Sequence, residues 1–205
     1  MSEVERLERL DWDMLFFAHA LLLSTRGTCD RLRTATIIVD KDRRIIGNGY
    51  NGAVAGTKNC DEAGHLIINS HCERTLHGEM NAILSIVDKE RVVDGTAYLI
   101  GTPCFLCAKA LAQLGTRQGD GTHKGLARVC YLGIYPNSLG KEFVEDLFKQ
   151  KDIKFEMFNL NVRELFQKVI KILESKGGIL DVQKSLKCAT MDAEKEGEKT
   201  GENND

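Results

Sequence analysis

The chain has 205 residues, a formal net charge of −2 and a pI near 6.2, with 42% hydrophobic, 28% charged and 6% aromatic residues. That length suits one domain with some extension, and the apolar share is enough for a core. The weakly acidic balance leaves no electrostatic footprint for nucleic acid or an anionic membrane surface, so neither is expected as a partner.

The stretch Met1 to Leu10 mixes charges of both signs, and no apolar segment follows a basic start. A secretory signal is therefore not expected, and no run reaches the length of a membrane span. Seven cysteines in such a chain argue for metal or thiol chemistry in the cytoplasm rather than a disulfide framework. Val4, Leu7, Leu10, Met14, Phe17 and Leu21 step by three and four, which predicts a helix with one apolar face. Ala35 to Val39 and Ile45 to Gly49 are β-prone, and the polar turn Asp40 to Arg43 between them predicts a hairpin. The segment from Asn51 to about Thr75 reads as a long irregular loop rich in metal-capable side chains, and loops of that length inside a domain are usually functional.

Met80, Ile83, Leu84 and Val87 mark a second helix, and Thr96 to Ile100 a strand. Pro103 opens a third helix running through Cys107, Leu111 and Leu114, since proline is tolerated in a first turn. Gly115 to Gly125 reads as a glycine-rich loop, Ala127 to Ile134 as a strand, Ser138 to Gln150 as a helix and Ile153 to Phe158 as a strand. Leu160 to Leu173 carries a last amphipathic stripe. Beyond Lys176 the pattern weakens, and 176–205 is expected to be a largely disordered extension of a domain spanning 1–175. Strands alternating with helices after a hairpin predict an α/β fold: a three-layer α/β/α sandwich on a mixed sheet of about five strands.

The chemistry concentrates at two predicted helix starts, His77-Gly78-Glu79 and Pro103-Cys104-Phe105-Leu106-Cys107. Cys104 and Cys107, three apart, face one side of a helical turn. A helix N-terminus favours anions, and metal-bound cysteine is a thiolate. One imidazole and two thiolates make three Zn²⁺ ligands, leaving the fourth position open, as in catalytic sites. Glu79, two residues from His77, is placed to move protons without being a ligand. His-x-Glu followed by Pro-Cys-x-x-Cys is the signature of zinc nucleobase deaminases.

Gly49-Tyr50-Asn51-Gly52, Cys60, Gly64-His65, His71-Cys72-Glu73-Arg74-Thr75 and His77-Gly78-Glu79-Met80-Asn81-Ala82-Ile83 follow in an order that resembles the deoxycytidylate (dCMP) deaminases, above all their bacterial competence-operon and phage branch. The resemblance covers about Asp11 to Phe158. It implies a cytidine deaminase-like fold and hydrolysis of dCMP to dUMP and ammonia, supplying dUMP for thymidylate synthesis. It implies a catalytic Zn²⁺ on His77, Cys104 and Cys107, with Glu79 as proton shuttle. It also implies that Asn51 holds the deoxyribose hydroxyl, that the Gly78 N–H donates to the pyrimidine carbonyl, that Arg26 and Arg31 lie near the phosphate, and that Tyr135 closes the pocket.

Tyr50, Asn51 and Gly52 resemble an effector contact, implying activation by dCTP, inhibition by dTTP and a homo-oligomer, hexamer or dimer. Cys29, Cys60, His71 and Cys72, with His65 as a spare, resemble a second, structural Zn²⁺ site that would staple the long loop. Gly78 replaces the alanine usual in the family. Other readings are a deaminase of another free cytosine compound, such as dCTP or cytidine, and a nucleic-acid deaminase. The acidic charge and few aromatics speak against the latter. His19 and Cys130 read as structural, His123 as solvated, and Cys188 has no evident partner.

Overall fold

A computed structural model of the chain describes residues 8–135 and 141–184. These fall into two units, one of Trp12–Leu160 and one formed by the two termini. The first unit opens with α1 (Trp12–Ser24), then the hairpin β1 (Ala35–Val39) and β2 (Ile45–Tyr50). Short pieces follow: β3 (Gly52–Ala53), α2 (Cys60–Ala63), β4 (Ile67–Ile68), β5 (His71–Cys72) and β6 (Thr75–Leu76). Then come α3 (Gly78–Leu84), a 3₁₀ turn at Lys89–Val92, β7 (Thr96–Gly101), α4 (Phe105–Gln113), β8 (Gly115–Arg117), β9 (His123–Gly125), β10 (Arg128–Gly133), α5 (Lys141–Gln150) and β11 (Lys154–Met157). The terminal unit holds α6 (Val162–Glu174), capped by Asn161, whose side chain accepts from the Arg163 and Glu164 N–H groups.

The main sheet has the order β11-β10-β7-β1-β2. β1 pairs antiparallel with β2 and β7, whereas β10 runs parallel to both β7 and β11, so the sheet is mixed. The period-2 alternation of strands sorts the side chains onto two faces. Ile38, Ala97, Leu99, Val129 and Tyr131 pack with Ala82, Ala108, Leu111, Val144 and Phe148 of α3, α4 and α5. Their neighbours Ile37, Val39, Tyr98 and Cys130 pack with Phe16, Phe17 and Ala20 of α1 on the other face. Every β1 residue is buried, as a strand covered on both faces requires. The three layers predicted from the sequence are present.

Several details differ from the sequence reading. The first helix starts at Trp12; Val4 and Leu7 lie outside the described residues. The division between the two compact units falls before α6, at 160/161. Residues 179–184 of the expected disordered extension are helical, and the rest of that tail, with Cys188, lies outside the described residues. Gly115 to Gly125 is not a loop but the hairpin β8–β9; Gly115 has φ 139°, and a Cβ there would lie 2.1 Å from the Lys124 carbonyl oxygen. His123 is not simply solvated: its ring nitrogens lie 3.0 Å from the Gln113 carbonyl oxygen and 3.3 Å from Lys151 Nζ.

α3 turns a different face inward from the one its apolar residues suggest. Gly78, Glu79 and Ala82 are buried, whereas Leu84 and Val87 are 68% and 100% exposed. The cause lies in β2. A Cβ at Gly47 would meet the Ala82 carbonyl oxygen at 2.7 Å, and one at Gly49 would meet Ala82 N at 2.3 Å. Two glycines two apart on one strand face let the α3 backbone sit directly on the sheet, and only small side chains fit between.

The β1–β2 turn is held by the buried Asp40, whose carboxylate accepts from the Asp42 and Arg44 N–H groups and from Arg91. Burial pushes this carboxyl up, but the Arg44 N–H and the Arg91 guanidinium more than offset that and leave it below its ordinary 3.8. The stability it contributes is therefore complete above that value and lost as the pH falls through the lower folded value. Melting temperatures of the native chain and of Asp40→Asn should differ at neutral pH and converge on acidification below about pH 4.

Candidate active site

The site forms where the C-terminal ends of the parallel strands β7 and β10 meet the start of β1, the place where open α/β sheets bind ligands. His77 is the residue before the first turn of α3 and Cys104 the residue before that of α4, both extended in backbone conformation. Cys107 sits one turn into α4, and its N–H points at Cys104 Sγ at 3.5 Å. The sulfurs of Cys104 and Cys107 lie 3.4 and 3.5 Å from His77 Nδ1, and all three donor atoms fall within 4.8 Å of one another. Tetrahedral zinc, with bonds of about 2.3 Å to sulfur and about 2.05 Å to nitrogen, needs N–S edges of about 3.6 Å. Both N–S edges fit that ion to within a few tenths of an ångström.

The electrostatics suit a cation. Hydrogen bonds accepted from Cys107 and from His77 hold the Cys104 thiol down at about 4, despite burial. The same Cys104 sulfur raises His77 to about 9, against burial. Cys107 is pushed up by that neighbouring thiolate and by burial, so a divalent ion must displace a proton from it. Glu79, in the first turn of α3, is buried at 8% exposure. Burial raises its carboxyl above the usual range, with His77 opposing and Cys104 adding to the rise.

A cavity of about 470 Å³ opens over these groups, within the range of small-molecule sites. Thr34, Thr36 and Asn51 line it, as do Arg31, His71 and Tyr135. Asn51 is buried; its Oδ1 accepts from the Thr34 N–H at 2.8 Å and its Nδ2 donates to the Leu32 carbonyl at 2.7 Å, so two of its four hydrogen-bonding positions hold the 32–34 backbone. The Gly78 N–H, first in α3, has no intrahelical partner by position. The Tyr135 N–H donates to Thr102 Oγ1 at 2.9 Å, and its ring lies 6.5 Å from that of His71. Arg31 Nη2 donates to the Ser70 carbonyl at 2.9 Å. Arg26 is exposed and does not line the cavity. Of the Tyr50-Asn51-Gly52 turn, only Asn51 reaches it; the Tyr50 carbonyl accepts from Asn81 Nδ2, and Gly52 pairs with Leu76.

A second donor cluster lies beside the cavity: Cys29, Cys60, His65 and Cys72, all within 4.8 Å. Cys29 and Cys72 sulfurs are 3.6 and 3.7 Å from His65 Nδ1, and the Cys60 and Cys72 sulfurs are 3.6 Å apart. A closed tetrahedral zinc site would need about 3.6 Å for N–S and about 3.8 Å for S–S edges. His65 Nε2 meets Asp30 Oδ1 at 3.0 Å, the outer carboxylate typical of metal-bound imidazoles. Here the sequence reading is corrected. His65, not His71, completes the set. His71 and Cys72 are consecutive in strand β5, so their side chains alternate: Cys72 joins the cluster at the cavity's edge, whereas His71 lines the cavity without joining the cluster. His71, Ser70 and Thr102 were missed as cavity residues, and only the parity of β5 could have signalled the first.

This fold and this donor set define a zinc-binding deaminase of the hydrolase class. The family described as the cytidine and deoxycytidylate deaminase zinc-binding region matches residues 10–119, and the chain belongs to it. The chain is 35% identical to the ComE operon protein 2 of Bacillus subtilis over 156 residues, covering 76% of this chain and 75% of that protein. It is 32% identical to the deoxycytidylate deaminase of Mycobacterium phage D29 over 120 residues, covering 53% of this chain and 92% of that one. Among solved structures, the dCMP deaminase of cyanophage S-TIM5 shares the fold, with a TM-score of 0.54, 22% identity and coverage of 74% of this chain and all of that one.

Proposed function

We propose that the chain hydrolyses dCMP to dUMP and ammonia, using one zinc ion on His77, Cys104 and Cys107 and a second on Cys29, Cys60, His65 and Cys72. The observation that carries the reading is the open three-donor set beside a buried carboxylate in a nucleotide-sized cavity that also presents Arg31 and His71. Bound zinc supplies a Lewis acid that makes a water nucleophilic near neutral pH. Glu79 takes the proton of the attacking water and delivers it to N3 of the cytosine ring. It then carries the second proton to the departing 4-amino group, so that water and dCMP become dUMP and ammonia. The Gly78 N–H holds the C2 carbonyl oxygen, Asn51 the sugar hydroxyl, Tyr135 covers the ring, and Arg31 takes the phosphate.

Regulation by dCTP and dTTP at Tyr50, Asn51 and Gly52, assembly into a homo-oligomer and a cytoplasmic location go with this reading. Among the described residues no helix is long and apolar enough to cross a membrane.

Ammonia release should be measured over dCMP, dCTP, deoxycytidine and single-stranded DNA, with and without dCTP and dTTP. dCMP should be turned over with the highest kcat/KM; a preference for deoxycytidine or DNA would overturn the assignment. Chelation of metal should abolish ammonia release, and added Zn²⁺ should restore it. Release unaffected by complete metal removal would sink the mechanism.

A further inference from the structure

The wall of the cavity that carries Arg31, Ser70, His71 and Cys72 has little to hold it in place. Residues 61–70 are all exposed, and Leu66, Ile67 and Ile68 are 48%, 46% and 50% exposed. Its strands β4 and β5 are two residues each. A segment without a buried apolar face needs another anchor. Besides local backbone hydrogen bonds such as Glu73 N–H to the Leu66 carbonyl and the short β3–β6 pairing, its anchors include the Arg74-to-Gly64 and Arg31-to-Ser70 hydrogen bonds and the four-donor cluster, whose Cys29 and Cys60 are buried. Cys29 lies two residues from Arg31, and Cys72 directly follows His71. Both cysteines also line the cavity. Any shift of the cluster sulfurs is therefore passed to the two basic side chains through one or two peptide units. The chemical groups hang elsewhere, from the starts of α3 and α4.

We propose that the Cys29, Cys60, His65 and Cys72 cluster is a positioning device for phosphate recognition: metal held there sets the Arg31–His71 wall and thereby the affinity for phosphate-bearing nucleotides, leaving the deamination step alone. This rests on the second-metal reading above. Asp30, hydrogen-bonded to His65 Nε2, is the positioning residue that aims His65 Nδ1 at the cluster.

The test uses the full-length enzyme, His65→Ala and the milder Asp30→Asn, whose exposed side chain touches only the outer edge of His65. Zinc per chain is measured by elemental analysis, and binding of the products dUMP and deoxyuridine by calorimetry. The native enzyme should hold two zinc ions and bind dUMP more tightly than deoxyuridine. His65→Ala should hold one. Its dUMP affinity and its KM for dCMP should worsen by about tenfold, with deoxyuridine affinity and kcat changing by less than roughly threefold. In Asp30→Asn, dUMP affinity should track occupancy as Zn²⁺ is titrated back, which keeps the test decisive if His65→Ala fails to fold. Loss of one zinc with unchanged dUMP affinity overturns the coupling but leaves the second metal standing. One zinc in the native enzyme, or no preference for dUMP there, overturns the proposal at its base.

Discussion

Replacing Glu79 by glutamine should lower kcat for ammonia release by roughly 10²- to 10⁴-fold, the range for loss of a positioned general acid–base. The amide has nearly the same volume, so the buried site in the first turn of α3 keeps its packing. Glutamine can neither accept the proton of the attacking water nor return it to the ring. His77, Cys104 and Cys107 are untouched, so zinc per chain should match the native enzyme, and binding of dUMP should change little. Retention of more than about one per cent of native activity would remove Glu79 from the mechanism. Loss of zinc together with activity would mean that its role is to hold the metal site.

Gly49→Ala should disrupt the fold and the site together. The added Cβ would stand 2.3 Å from Ala82 N and 2.6 Å from both the Asn81 carbonyl carbon and the Gly78 carbonyl oxygen. All three are backbone atoms, so no rotamer change relieves the clash. α3 would have to retreat by about 1 Å, at a cost at or above the upper end of the roughly 1–3 kcal/mol typical of overpacking. Because α3 carries His77 and Glu79, that retreat alone should cost on the order of 10² in rate. Gly78→Ala is the control. Its Cβ would meet the Ala35 Cα at 3.1 Å and the Gly49 carbonyl oxygen at 3.2 Å, which a shift of a few tenths of an ångström relieves. Urea midpoints and kcat should separate the two variants clearly; equal behaviour would refute the packing argument.

The His77, Cys104 and Cys107 donor cluster and the Glu79 beside it could be read from the spacing of two motifs at helix starts. The hairpin and the alternating strands and helices were legible from period and turn residues. What escaped the sequence has specific physical causes. The inward face of α3 could not be read from Leu84 and Val87, since close backbone approach over Gly47 and Gly49 replaces large apolar contacts with Gly78 and Ala82. His65 and His71 could not be ranked without knowing that residues 71 and 72 form a strand, whose parity sends them apart. Arg26 and Arg31 are alike in sequence; only the path of the chain after α1 puts one on the cavity and leaves the other outside it. The glycines of β8–β9 read as a loop because close strand pairing and free turning call for the same residue.

The division of labour between α3 and α4 on one side and the short pieces from β3 to β6 on the other has a consequence for how such an enzyme changes over time. On the proposal above, the reaction would rest on the starts of α3 and α4, where the backbone of α3 lies directly on Gly47 and Gly49, whereas reading of the nucleotide's phosphate would rest on a strip whose residues 61–70 are all exposed. Apart from His65, substitutions at the exposed positions 61–70 of that strip disturb little packing. If that strip reads the phosphate, preference among nucleotides can drift between lineages while the bond that is broken stays the same.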